Sequence, residues 1–255
     1  QNGDKITIVE ADEFDRSFMT LSPNFACITS MDADHLDIYG DKESLKQSFL
    51  DFSKNISNDG KLFVHESLSV EGITYGIDSN ADYAAQNIKI VEGAYHFDLK
   101  TPNSILRNFR FHLPGSHNLN NAVAALAMAL EFGCTEDKLQ KGLNSYRGVK
   151  RRFSYKIKEK SFVFIDDYAH HPKEIDAVYQ AITEMHPNRK VTAVFQPHLF
   201  SRTQDFGEEF AHSLSVFDAV LLLEIYPARE LPITGINASW LLEKITAPFK
   251  KLVIK

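Results

Sequence analysis

Short apolar runs that each end in carboxylates or histidines, separated by segments of helical spacing, constrain this chain more than any other feature. Residues 162–166, 191–195 and 219–223 read as buried strands, and 252–254 begins another. Between them, residues 172–185, 203–214 and 238–245 repeat apolar side chains at helical spacing. Strands apolar along their whole length need cover on both faces, which helices between parallel strands supply. The second half is therefore predicted to be a doubly wound, Rossmann-like α/β unit.

The first half begins in the same way. Residues 5–9, 25–29 and 61–65 read as strands, with a short helical segment between the first two. Asp41 is placed to cap a helix carrying Leu45, Phe49 and Phe52. Residues 73–113 then alternate apolar and polar side chains, with a turn at Glu92-Gly93, which predicts a small antiparallel sheet. Pro114-Gly115 breaks it, and the alanine-rich stretch 122–132 predicts a helix ended by Gly133. Gly142, Tyr146, Gly148 and Lys150-Arg151-Arg152 read as a polar connector. The expected domains are thus residues 1–149, a parallel sheet with a small antiparallel one, and residues 150–255.

The composition excludes several classes. With 255 residues, 44% of them hydrophobic, and a net charge of −6, the chain is neither disordered nor built to neutralise nucleic-acid phosphates. Its longest apolar stretch, residues 122–130, is too short to span a bilayer. The first residues carry no secretory signal pattern. Cys27 and Cys134 lie far apart in apolar contexts and are expected as reduced thiols. These features fit a cytoplasmic protein that binds neither nucleic acid nor membrane.

Ligands of open parallel sheets bind beyond the carboxyl ends of the strands. That rule selects Glu10 and Asp12, then Asp32, Asp34 and His35, then residues 166–171 with Asp167, His170 and His171, and finally His198 and Glu224. The two acidic clusters suit a divalent cation, and equally suit helix capping and loop solvation. Asn118 and Asn121, three apart, can present amides to a nucleobase edge, although asparagine capping explains them as well. Arg151-Arg152 can grip phosphates or simply face water. Pro172 suits the first position of a helix, with His171 just before it. Ser201 and Gln204 have capping-box spacing, and Trp240 is expected in a core. No Gly-x-x-x-x-Gly-Lys-[Ser/Thr] loop occurs.

Taken in order, EADEFDRSF at 10–18, DADHLDIYG at 32–40, PGSHNLNNAVAA at 114–125, GVKRRF at 148–153, DDYAHHPKEI at 166–175, FQPHLFSRTQDF at 195–206 and LEIYPARELPI at 223–233 resemble the Mur ligases. These are the ATP-dependent enzymes of peptidoglycan precursor synthesis. The resemblance implies a central ATPase-type domain followed by a C-terminal domain. It is nearest to the branch that joins L-alanine to the lactyl carboxylate of UDP-N-acetylmuramate through an acyl phosphate. By motif, Glu10 and His35 would bind Mg²⁺, and Asn118 and Asn121 would lie near the ATP base. Arg152 and Asp167 would reach the nucleotide when the domains close. His170, His171, His198 and Arg202 would line the amino-acid and acyl-phosphate pocket, and Tyr168 would at most border it. Leu199 stands where many relatives have arginine. The resemblance places the UDP-binding domain and the phosphate loop before Gln1, and the rest of the C-terminal domain beyond Lys255. The chain as given is expected to be inactive by itself.

Three rival readings differ in what they need. A tripeptide-adding recycling ligase usually carries a longer basic-aromatic insertion after the EADE segment, whereas residues 14–23 are short with Arg16 as their one basic residue. A metal-dependent hydrolase built on Asp34, His35, His170, His171 and His198 would need tight ligand spacing that the sequence lacks. A non-enzymatic binding module would leave the polar strand ends unexplained.

Overall fold

The computed structural model of the chain describes residues 6–13, 16–31 and 39–253. It divides into two compact units. The first takes Gln1–Lys89, His96–Arg110 and Leu119–Ser145; the second takes Ile90–Tyr95, Phe111–Asn118 and Tyr146–Lys255.

A 3-10 turn at Ser17–Thr20 precedes β1 (Phe25–Ile28), followed by α1 (Lys42–Ser53) and β2 (Lys61–His65). Asp41 caps α1 as expected: its Oδ1 accepts from the Ser44 amide at 2.7 Å, pairing a donor that a helix start leaves open. β3 (Ile73–Ile77), β4 (Tyr83–Val91), β5 (Ala94–Lys100) and β6 (Ile105–Phe111) complete a six-stranded sheet in sequence order. β1 to β4 pair parallel. The links 66–72 and 78–82 carry no helix. Asp82 ties one of them, accepting from the Thr74 amide and hydroxyl at 2.8 Å each. Glu92 (φ 51°) and Gly93 (φ 71°) form the predicted hairpin turn, both in the left-handed region that suits the twist of two antiparallel strands. The separate antiparallel sheet expected over 73–113 is thus corrected: β3 pairs parallel with both neighbours, and the later strands extend the same sheet.

Two further expectations for this half need correction. Residues 6–9 form no strand; Ile6, Ile8 and Val9 are exposed. An apolar run states a need for burial, but a strand also needs a neighbour for its amides and carbonyls. Gly142, expected in the polar connector, is instead helical, whereas residues 146–152 form neither helix nor strand, as expected. After α2 (Ser116–Glu131), which starts earlier than the alanine-rich run implies, α3 spans Glu136–Ser145. Glu136 and Asp137 in its first turn complement the helix dipole, and Leu139 is buried. These gains offset the roughly 1 kcal/mol that an interior glycine costs. Between α2 and α3, Gly133 (φ 91°) closes the helix, its amide donating to Leu130 O at 2.8 Å and that of Cys134 to Ala129 O at 2.9 Å.

In the second unit, β7 (Ser154–Lys158) and β8 (Val163–Asp166) form an antiparallel pair. β9 (Thr192–Phe195), β10 (Ala219–Leu223) and β11 (Phe249–Val253) form a parallel sheet with β10 central. The helices are α4 (Pro172–Met185), α5 (Phe200–Asp205), α6 (Gly207–Ser215) and α7 (Ala238–Lys244). Phe210, Leu214, Val220, Leu222, Leu241 and Ile245 form the core, with Trp240 packed against it. The single helix predicted over 203–214 is two. Phe206 ends one and starts the next, its amide donating to Arg202 O and its carbonyl accepting from the Phe210 amide. Its ring packs edge-on to His171 at 4.7 Å, a tertiary contact that helical spacing does not encode.

Candidate functional site

The predicted site residues of the second unit gather where β8 and β9 end. α4 begins with His171 as N-cap and Pro172 as first residue, the arrangement expected from sequence. Glu174, one turn in, organises the cluster. Its Oε2 accepts from the amides of His170 at 2.8 Å and His171 at 3.1 Å, and lies 3.4 Å from His170 Nδ1. Its Oε1 accepts from Arg152 Nη1 at 3.3 Å. Burial alone would raise the Glu174 pKa, but the His170 amide, the His170 ring and Arg152 outweigh it and hold the carboxyl below the usual range. Glu174 was missed in the sequence, although its spacing from His171 is that of a capping box.

Asp167 works on the backbone. Its Oδ2 accepts from the Phe153 amide at 2.6 Å and its Oδ1 from the Ala169 amide at 2.7 Å. Arg151 (φ 62°) and Phe153 (φ 45°) both adopt left-handed conformations, which cost energy for side chains of this size. Asp167 thereby fixes the bend that presents Arg152. The guanidinium carbons of Arg151 and Arg152 lie 5.0 and 5.8 Å from the centre of the exposed Tyr168 ring. His117 enters the same unit. Partial burial lowers its pKa, with Asp167 opposing and Arg152 reinforcing the shift. Gly115 (φ 93°) is required here, because a methyl group on it would meet His117 Cε1 at 2.6 Å.

His198 and Arg202 lie on the neighbouring segment. His198 makes a parallel bridge with Tyr226, and their rings stack at 5.4 Å. Burial, then Arg202 and His170, lower the His198 pKa, against a smaller opposing effect of Glu230. The Ser201–Gln204 capping box is not formed: Ser201 lies inside α5, and its hydroxyl donates to Glu230 Oε1 at 2.5 Å. A carboxylate distant in sequence has taken the role assigned to the local Gln204 amide. Glu230 and Tyr226 lie in the LEIYPARELPI segment, whose spacing gives no sign of either contact.

The remaining candidates are less gathered. Asn118 and Asn121 lie on the first turns of α2. Asn118 Nδ2 donates to Pro114 O at 2.6 Å, a local bond of the capping kind, while Asn121 is exposed. Between them Asn120 buries its Oδ1 without a partner. Glu10 is exposed outside any helix or strand, and its predicted partner His35 lies outside the described residues. Among the described residues no group of three or more His, Cys, Asp or Glu is placed to hold a metal ion. Cys27 and Cys134 are free thiols, and no helix among the described residues is long and apolar enough to cross a membrane.

Residues 1–129 match the family described as Mur ligase middle domain, and residues 151–253 match the Mur ligase glutamate ligase domain. The chain is 63% identical over 253 residues to the UDP-N-acetylmuramate–L-alanine ligase of Christiangramia forsetii, covering 99% of this chain and 56% of that relative. It is 42% identical over 259 residues to the enzyme of the same name from Porphyromonas gingivalis, covering 98% and 57%. The crystal structure of the UDP-N-acetylmuramate-alanine ligase MurC from Thermotoga maritima superposes with a TM-score of 0.76 at 26% identity, covering 94% of this chain and 54% of that one. The chain thus spans little more than half the length of the curated relatives it matches.

Proposed function

Since the chain belongs to the Mur ligase family, carrying its middle and glutamate ligase domains, we propose that it forms the nucleotide-handling and amino-acid-binding part of a cytoplasmic ligase that joins L-alanine to UDP-N-acetylmuramate. The observation that carries this reading is the 63% identity, across 99% of the chain, to a relative of that name. A domain boundary at residues 149 and 150 belongs to the same proposal, supported by family matches that end at 129 and resume at 151.

In this reading ATP phosphorylates the lactyl carboxylate, and the alanine amine displaces phosphate from the acyl phosphate. The reaction accumulates negative charge on phosphoryl oxygens and needs an unprotonated amine close to an activated carbonyl. Arg152, turned outward by the Asp167-pinned bend and steadied by Glu174, is suited to phosphoryl oxygens. His170, His171, His198 and Arg202 supply donors for the acyl phosphate and the alanine carboxylate. The lowered pKa of His198 favours its neutral ring, which can accept a hydrogen bond from the alanine amine. Asn121, exposed on α2, can reach the edge of a base, whereas Asn118 would first have to leave Pro114. Mg²⁺ bound with the nucleotide would neutralise phosphoryl oxygens. Glu10 is a donor type that this ion accepts, and His35 is its proposed companion.

The test uses the protein at the length of its relatives, supplied with ATP, Mg²⁺, UDP-N-acetylmuramate and L-alanine. Phosphate release should require L-alanine and disappear in Glu10→Ala and His35→Ala. Release that needs a tripeptide instead would move the assignment to a recycling ligase, and release indifferent to any amine would remove it.

A further inference from the structure

The 196–202 segment holds a conformation that it cannot keep by itself. Leu199 has φ 72° and ψ 136°, a region that side-chain-bearing residues avoid at a cost of about 1–3 kcal/mol. It lies between His198 and α5, which carries Arg202. Something outside the segment must hold it, and the loop after β10 does so at three points. Tyr226 N donates to Pro197 O at 2.8 Å, and Leu199 N donates to Tyr226 O at 2.9 Å. Glu230 supplies the third: its Oε2 accepts from Ser201 N at 3.0 Å and its Oε1 from Ser201 Oγ at 2.5 Å, with the Phe200 amide also directed at it. The carboxylate is half-buried, and these donors overcome the burial that would otherwise raise its pKa. Its own loop is folded back by the Glu230 N to Pro227 O bond at 2.8 Å.

We infer that Glu230 is a positioning residue for the proposed amino-acid pocket: by binding Ser201 it holds the strained Leu199 backbone, and so fixes where His198 and Arg202 point. The inference rests on the proposed L-alanine ligase reading for its functional consequence, but not for its structural one. Glu230 touches no substrate in this account. Its charge is spent on the Ser201 hydroxyl and the first amides of α5.

The test reads both consequences in the protein at its relatives' length. Glu230→Ala should raise KM for L-alanine by about tenfold, the usual scale for losing charge-assisted hydrogen bonds that position a site. KM for ATP and for UDP-N-acetylmuramate should stay within about twofold. Glu230→Gln keeps one acceptor oxygen and should raise KM for L-alanine less; it also carries the test if Glu230→Ala does not fold. An unchanged KM for L-alanine in both variants, or an equal rise for all three substrates, would overturn the inference. Amide hydrogen exchange at Phe200 and Ser201 needs no turnover and should accelerate about tenfold or more in Glu230→Ala. Unchanged exchange there would overturn the inference even in a protein with no L-alanine-dependent activity, a result that would separately remove the functional reading.

Discussion

Removing the Glu174 carboxylate should loosen the start of α4 and release Arg152 from it. The carboxylate accepts from two helix-start amides, at 2.8 and 3.1 Å, and from Arg152 at 3.3 Å. Losing a helix-start acceptor costs about 1–2 kcal/mol. The Arg152 pair adds little, about 0.5 kcal/mol or less, because the arginine side chain is 54% exposed and well screened. Glu174→Ala should therefore destabilise the second unit by roughly 1–2.5 kcal/mol. Glu174→Gln can turn its oxygen to the amides and its NH₂ to Arg152, so it should lose only about 0.5 kcal/mol while still freeing the guanidinium. The chain contains one tryptophan, Trp240, packed on the second unit's core. Urea unfolding followed by its fluorescence therefore reports this unit. Because the folded carboxyl titrates below its usual value, its contribution is complete above the unfolded glutamate pKa and fades as pH falls through the folded one. The difference between wild type and Glu174→Ala should shrink accordingly in acid. Equal midpoints for wild type, Ala and Gln at pH 7 would refute the argument, as would a difference that grows in acid.

Other perturbations have equally definite outcomes. Tyr95 Oη accepts from the Gly115 amide at 3.1 Å and donates to Glu184 at 2.8 Å, all within the second unit, so Tyr95→Phe should cost about 1–3 kcal/mol by orphaning a buried donor; a variant as stable as wild type in urea contradicts this. A methyl group on Gly207 would meet Trp240 Cη2 at 2.4 Å, so Gly207→Ala should cost about 1–3 kcal/mol and shift the tryptophan emission, and an unshifted spectrum would show that the packing is wrong. His186 and His198 have lowered pKa values, chiefly from partial burial, so the unfolded chain binds protons more readily than the folded one. Stability of the second unit should fall as pH drops through the ordinary histidine range near 6.5, and His198→Gln should flatten that fall; a pH-independent midpoint between 7.5 and 5.5 would count against it.

Most of the architecture was legible because its signals are local. The strands at 25–28, 61–65, 192–195 and 219–223 announce themselves as apolar runs, while Asp41, Pro172 and Gly133 mark helix ends and Gly93 a hairpin turn. What could not be read depends on partners distant in sequence. Residues 6–9 look like a strand until the question of what they pair with is asked. Phe206 divides a helix where its ring meets His171, and Ser201 binds Glu230 rather than capping its own helix. The candidate site follows the same rule. Strand-end histidines and Arg152 stand out by type and position, but Glu174, Tyr226 and Glu230, which hold them in place, look like ordinary surface residues until the chain is folded.

The central claim is that these residues serve an alanine-adding ligase, and the mass of the product tests it most directly. The protein at its relatives' length, incubated with ATP, Mg²⁺, UDP-N-acetylmuramate and an equimolar mixture of L-alanine and a peptidoglycan tripeptide, should yield the nucleotide sugar extended by one alanyl residue, with one phosphate released per product. A product carrying the tripeptide, or phosphate release with the nucleotide sugar unchanged, would contradict the account.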